Sequence, residues 1–138
     1  MKNTLIVLLL LIATYANAQS HRLTNPDKVP NCKLIHSGKF VNQETAGQAT
    51  PGYYMVFKDG FATEYVEDGK YFIKSKVTFE GECKYKSVIM ACTIPDFDAK
   101  IGEVLNTEIL ETATSDNLIK IRSRMNIEWQ TFVLKKVE

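Results

Sequence analysis

From Lys70 to Ile94 apolar and polar side chains alternate with a period of two, and no other feature of the chain constrains its fold as strongly. In the first arm Tyr71, Ile73, Val77 and Phe79 alternate with Lys74, Lys76, Thr78 and Glu80. In the second, Cys83, Tyr85, Ser87, Ile89 and Ala91 share one side, with Glu82, Lys84 and Lys86 on the other. Successive strand residues point to opposite faces, so each arm has one buried and one wet face. The stretch predicts a long hairpin around which the other strands are arranged.

Similar runs, separated by turn residues, predict strands over 33–42, 53–57, 61–66, 70–79, 83–94, 103–113, 118–125 and 128–137. Asp59-Gly60, Asp68-Gly69 and Ser115-Asp116-Asn117 mark turns because Gly, Asn and Asp tolerate positive φ. If Lys58-Asp59-Gly60 and Glu67-Asp68-Gly69 are three-residue loops, Phe57 faces Phe61, Met55 faces Thr63, and Tyr65 faces both Tyr53 and Tyr71. One face then collects Tyr53, Met55, Phe57, Phe61, Tyr65, Tyr71, Ile73, Val77 and Phe79. Two-residue loops would instead set Glu64 beside Met55, so the three-residue loops are expected. After Glu80-Gly81-Glu82 the parity is again odd, with Lys76 opposite Lys84 or Lys86. The outer face carries Lys74, Lys76, Lys84 and Lys86, either as a small anion-binding patch or as a solvated face neutralised by Glu64, Glu80 and Glu82.

In the last third, Val104-Leu105 and Leu118-Ile119 interrupt the alternation and suggest bulges. Ile127, Trp129, Thr131 and Val133 are expected to face inward. The fold class expected is all-β: an antiparallel up-and-down meander of about eight strands, curled into a small closed or nearly closed barrel that removes its edges.

The N-terminus reads as a targeting signal. Lys2, the apolar run from Leu5 to Ile12 and the small residues Ala16 and Ala18 match a secretory signal peptide over residues 1–18. The run is shorter than the roughly 18 apolar residues that span a bilayer, so no transmembrane segment is expected in the mature chain. Residues 19–31, with Pro26 and Pro30, are expected to be a flexible leader, and 32–138 a single domain. Losing Lys2 leaves 16 of the 17 basic residues against 16 acidic ones, which gives no pull toward nucleic acid. A secreted or periplasmic location is expected.

Candidate chemistry is sparse. Histidine occurs only as His21 and His36, and no His/Cys/carboxylate cluster has metal-ligand spacing. Asp96 and Asp98 lack the further oxygen ligands of a calcium loop. No base can be assigned to the hydroxyls of Ser37 or of Thr112 to Ser115. The expectation is a non-enzymatic protein without a cofactor or a metal. The aromatics and lysines of 71–85 fall on opposite faces, which argues against a nucleic-acid stacking platform.

The cysteines carry a sharper expectation. Cys83 and Cys92 lie about 30 Å apart on one strand, at roughly 3.3 Å per residue, so they cannot bond to each other. In a meander the first and fifth strands start at the same rim, so a Cys32–Cys83 disulfide is expected, with Cys92 free. The inward rings of Phe57, Phe61, Tyr65, Tyr71, Phe79, Tyr85 and Trp129 predict a largely solid core with at most a shallow site at one mouth. On the outer face Phe72, Val88, Met90, Cys92 and Ile94 form an apolar stripe. It is either covered from within the chain, by the leader or the 95–102 connection, or is a surface for a partner.

Cys32 with His36-Ser37-Gly38-Lys39-Phe40, Ile73 to Val77 leading to Cys83-Lys84-Tyr85, Ile101 to Val104, and the Lys-Lys-Val-Glu terminus resemble a family of small secreted proteins of Bacteroidota. That resemblance implies compartment and fold class. Gly38-Lys39-Phe40 is also similar to the Gly-x-aromatic of the first lipocalin strand, with Phe where that family has Trp. The functions expected are a binding or protein-interaction module with an unknown protein partner, and, as the alternative, a lipocalin-like carrier of a small apolar ligand.

Overall fold

The computed structural model describes residues 22–43, 50–98 and 100–138. The residues read as a signal peptide lie outside that set, as does part of the loop before the second strand. Eight antiparallel strands run in sequence order around a closed barrel: β1 Gly38–Asn42, β2 Tyr54–Lys58, β3 Phe61–Val66, β4 Tyr71–Phe79, β5 Lys84–Cys92, β6 Val104–Ala113, β7 Leu118–Arg124 and β8 Gln130–Lys136. β1 pairs with β8, through Phe40 opposite Lys136 and Asn42 opposite Leu134, so no strand edge is left unpaired. The expected all-β meander barrel is the observed fold.

The first hairpin corrects the expected register. Lys58 pairs with Phe61, so the β2–β3 turn holds only Asp59 and Gly60. Both have positive φ, 52° and 79°, the combination of a type I′ turn, whose twist matches that of the flanking strands. The β3–β4 connection is also even: Val66 pairs with Tyr71 across four residues, with Glu67, Asp68 and Gly69 at positive φ. Met55 therefore lies opposite Glu64, and Phe57 opposite Ala62. Phe61, Thr63 and Tyr65 turn outward, contrary to expectation. There the rings find partners: Tyr54 and Tyr65 stack with centroids 4.7 Å apart, Lys39 Nζ sits 4.9 Å from the Tyr54 ring, and Lys74 Nζ sits 4.5 Å from the Phe61 ring.

Three further expectations are corrected. Lys76 lies opposite Val88 rather than a lysine, because Phe79 pairs with Tyr85 across a longer loop than Glu80-Gly81-Glu82. A bulge sets Lys74 against Ala91 and Ser75 against Ile89, which leaves Met90 as the extra residue. Past that bulge Cys92 pairs with Ile73, itself opposite Glu64, so the register moves Cys92 off the outer stripe and onto the inward-facing set. Trp129 precedes β8 and lies outside the barrel, with the Arg122 and Arg124 guanidinium carbons 4.4 and 4.6 Å from its ring. Phe132 and Leu134 face inward on β8 in place of Thr131 and Val133.

One end of the barrel is packed solid. A 3-10 turn, Cys32–Ile35, precedes β1 and drives the fully buried Ile35 into a cluster with Phe40, Phe57, Val77, Ile109 and Ile119. Gly38 is needed where this plug joins β1. Its φ is 118°, and a Cβ there would lie 2.3 Å from the Glu138 carbonyl oxygen and 2.7 Å from Lys136 Cε. The Cys32–Cys83 disulfide ties the plug to the start of β5, and Cys92 is free, both as expected. Residues 22–31 run along the end of β6: Asp27 N–H donates to the Thr112 carbonyl, and the Asp27 carboxylate accepts from the Thr112 and Thr114 hydroxyls. Those hydroxyls hold the Asp27 carboxyl below its ordinary pKa.

The disulfide joins residues 51 apart in sequence, and a loop of that length corresponds to about 4 kcal/mol of stabilisation in the chain-entropy model. Cys32→Ser with Cys83→Ser is therefore expected to lower the unfolding free energy by about 4 kcal/mol in urea denaturation. An unchanged midpoint would mean that the plug holds without its covalent tie.

Candidate functional site

Above the plug the barrel is hollow, and this overturns the expected solid core. The cavity has a volume of about 650 Å³, within the range of small-molecule sites, and opens at the end that carries the β7–β8 loop. Its walls follow from the register. Ala62 lies opposite Ser75 across β3 and β4, and the row Tyr85, Thr107, Ser123, Gln130 crosses β5 to β8. Ala62, Ser75, Ser87, Thr107 and Ser123 are small, and an eight-stranded barrel lined by small side chains has room for one ligand. Met55, Leu105, Ile121, Phe132 and Leu134 supply apolar wall, while Asn42, Arg124 and Glu128 are among the residues lining the mouth.

The wall is more polar than a carrier of purely apolar molecules would need. Thr107 and Ser123 share a hydrogen bond of 2.8 Å across β6 and β7. Tyr85 shares one with Thr107, and burial raises the pKa of its phenol. The most consequential group is Glu64. The Tyr53 hydroxyl donates to Glu64 Oε2 at 3.2 Å. Among the described residues, none of the ion pairs involves Glu64. It is half-buried because the surface it retains is the cavity's own. Protein atoms surround the rest of the carboxyl, and this desolvation raises its pKa against the opposing effect of the Tyr53 hydrogen bond. Burial is also the first cause of the raised Tyr53 pKa, with the Glu64 charge second, so this phenol stays a donor.

The residues singled out from the sequence lie elsewhere. Of the four lysines, Lys84 contacts Glu108 at 3.5 Å, Lys86 contacts Glu80 at 2.9 Å, Lys74 covers Phe61, and Lys76 is exposed. Arg122 donates to Glu108 as well and is the main reason that carboxyl titrates below its ordinary range. In the apolar stripe Phe72 joins Tyr65 with ring centroids 6.3 Å apart, Val88 lies between Lys76 and Val104, and Ile94 is half-buried beyond β5. Met90 is 51% exposed, so the described residues of the leader and of the 95–102 connection leave about half of it open. His36 packs on Phe79 at the closed end, with ring centroids 3.9 Å apart, and does not line the cavity. Among the described residues no group of three or more His, Cys, Asp or Glu is placed to hold a metal ion. The chain matches no protein-family model, no curated protein and no solved structure.

The three-residue loops expected from the sequence put Glu64 on the outer face, among the lysines. Asp59-Gly60 read as a two-residue type I′ turn was the signal that would have found it. Its burial sets a pH dependence. The folded carboxyl binds its proton more tightly than the unfolded one, so relative stability is fullest below the ordinary carboxyl range and is lost as pH rises through the raised value. Glu64→Gln should match the parent's Tm near the ordinary carboxyl range and exceed it by a few degrees at neutral pH. A variant that melts lower at neutral pH would show that the charge is compensated in the fold.

Proposed function

We propose that this protein is an exported carrier that binds one small molecule, with an apolar body and a polar end, inside the barrel. The observation that carries this reading is the cavity itself: about 650 Å³, open at one end, in a barrel whose other end is filled by Ile35, Phe40 and Phe57. The same strands lined with larger residues would pack solid, and open volume lined by hydroxyls and a carboxyl forfeits packing that the fold could otherwise use. The signal-like residues 1–18 and the Cys32–Cys83 disulfide support export to an oxidising compartment. A binding role rather than catalysis is supported by the place of His36, which packs on Phe79 at the closed end, away from the cavity. The lipocalin-like alternative thus takes precedence over a protein-interaction module, with a more polar ligand than the sequence suggested.

A neutral fluorescent probe tests the reading. N-phenyl-1-naphthylamine should bind with one-to-one stoichiometry and enhanced emission. Ala62→Phe, which places a ring in the hollow, should weaken it more than tenfold, or about 1.4 kcal/mol, without unfolding the barrel. Met90→Ser on the outer face should leave the affinity unchanged. No saturable binding, or binding that Ala62→Phe does not touch, would defeat the carrier reading.

A further inference from the structure

The cavity wall distinguishes among ligand classes. Glu64, the carboxyl that the described strands turn inward, has Met55 and Ile73 as its cross-strand neighbours on β2 and β4, neither ionisable. Tyr53 and Tyr85 are the ionisable groups that interact with it, and burial keeps both as neutral phenols. Arg124 and Glu128 also line the cavity; both residues are exposed, and the Arg124 guanidinium carbon lies 4.6 Å from the Trp129 ring. The interior thus offers a carboxyl, a phenol donating to it, and a belt of hydroxyls, and none of the described ion pairs involves Glu64. A carboxylate or phosphate ligand would bring a second negative charge against Glu64 in a site of low dielectric, where like charges are costly. A plain hydrocarbon would leave the acid desolvated and unmatched. An ammonium group supplies both the missing charge and up to three N–H donors for the carboxylate and the neighbouring hydroxyls.

We propose that the cavity takes a small organic amine, its ammonium group seated on the Glu64 carboxylate beside the Tyr53 hydroxyl and its apolar body against Met55, Ile121 and Phe132. The inference rests on the carrier reading and adds the chemical class of the ligand. Tyr53 keeps one carboxylate oxygen fixed by its hydrogen bond, so the acid is oriented before the ligand arrives. Ser75, opposite Ala62, and Ser87 are the nearby hydroxyls of the β4 and β5 walls.

Calorimetric titration with 2-phenylethylamine and with 2-phenylethanol, which exchanges the ammonium for a hydroxyl on the same body, tests the proposal. The amine is expected to bind at least tenfold more tightly to the parent protein. In Glu64→Gln that preference should vanish. Equal affinities in the parent, or a preference that survives in the variant, overturn the proposal. The parent alone provides a second measurement should the variant fail to fold. Amine affinity should fall as Glu64 takes up its proton toward acid pH, while that of the alcohol stays flat; an amine preference indifferent to pH also overturns the proposal. If neither compound binds but N-phenyl-1-naphthylamine does, the ligand class is wrong and the carrier reading stands. If none of the three binds, both fall.

Discussion

The interior of this barrel depends on a two-residue turn. In a strand pair the parity of the connection decides which side chains face in, and a change of one residue exchanges the whole set. Asp59 and Gly60 at positive φ fix an even connection between β2 and β3. With that parity Ala62 and Glu64 enter the barrel, and Phe61 and Tyr65 leave it. Odd parity would have put two rings where a methyl and a carboxyl now stand. The hollow and the buried acid therefore have one cause. The preference of Asp-Gly for a type I′ turn outweighs the burial of two aromatic rings because the outer surface offers those rings company. Tyr54 stacks on Tyr65, and Lys74 caps Phe61, so the rings are not left bare.

A cavity also needs a frame that holds without it. The closed end provides this by concentrating large side chains: Ile35 from the 3-10 turn, Phe40 from β1, Phe57 from β2, Ile109 from β6 and Ile119 from β7. The disulfide anchors that turn to the start of β5, halfway round the barrel, and Lys136 Nζ donates to the Leu34 carbonyl from the other side. Pairing of β1 with β8 completes the circle, and it requires a glycine at position 38 because the C-terminal backbone passes so close. Stability thus sits at one end and binding volume at the other. Small residues such as Ala62 and Ser75 can be kept in the cavity wall without loosening the whole.

Much of this was legible in the residues. Alternation in β4 and β5 carries the inward set of Ile73, Val77, Phe79, Tyr85, Ser87 and Ile89, and meander geometry brings Cys32 next to Cys83. The errors share a physical origin. Hydrophobicity favours the odd β2–β3 register over the turn's own preference, on the assumption that a carboxyl does not belong beside Met55. That assumption holds for a core and fails for a binding site. The pattern sets Trp129 inside for a related reason: its ring counts as interior bulk, whereas Arg122 and Arg124 stabilise it outside through cation–π contact. Cys92 crossed to the inward set because the bulge at Met90, which alternation alone does not reveal, reverses the facing of everything after it.

The placement of the polar groups separates a defect from a function. A buried carboxyl raises its pKa and weakens the fold at neutral pH, and nothing in the barrel's architecture requires one at position 64. An alanine or valine there would preserve the register, the turn and the closure. Tyr53 likewise spends a phenol on Glu64 rather than on solvent, and Thr107, Ser123 and Tyr85 hydrogen-bond along the opposite wall. Polar groups satisfied among themselves, lining a volume open to solvent at one end, are preorganised: their hydrogen bonds set orientation before any ligand enters. A ligand that supplies positive charge removes the strain of the isolated acid on binding, so the cost borne by the empty protein becomes affinity in the loaded one.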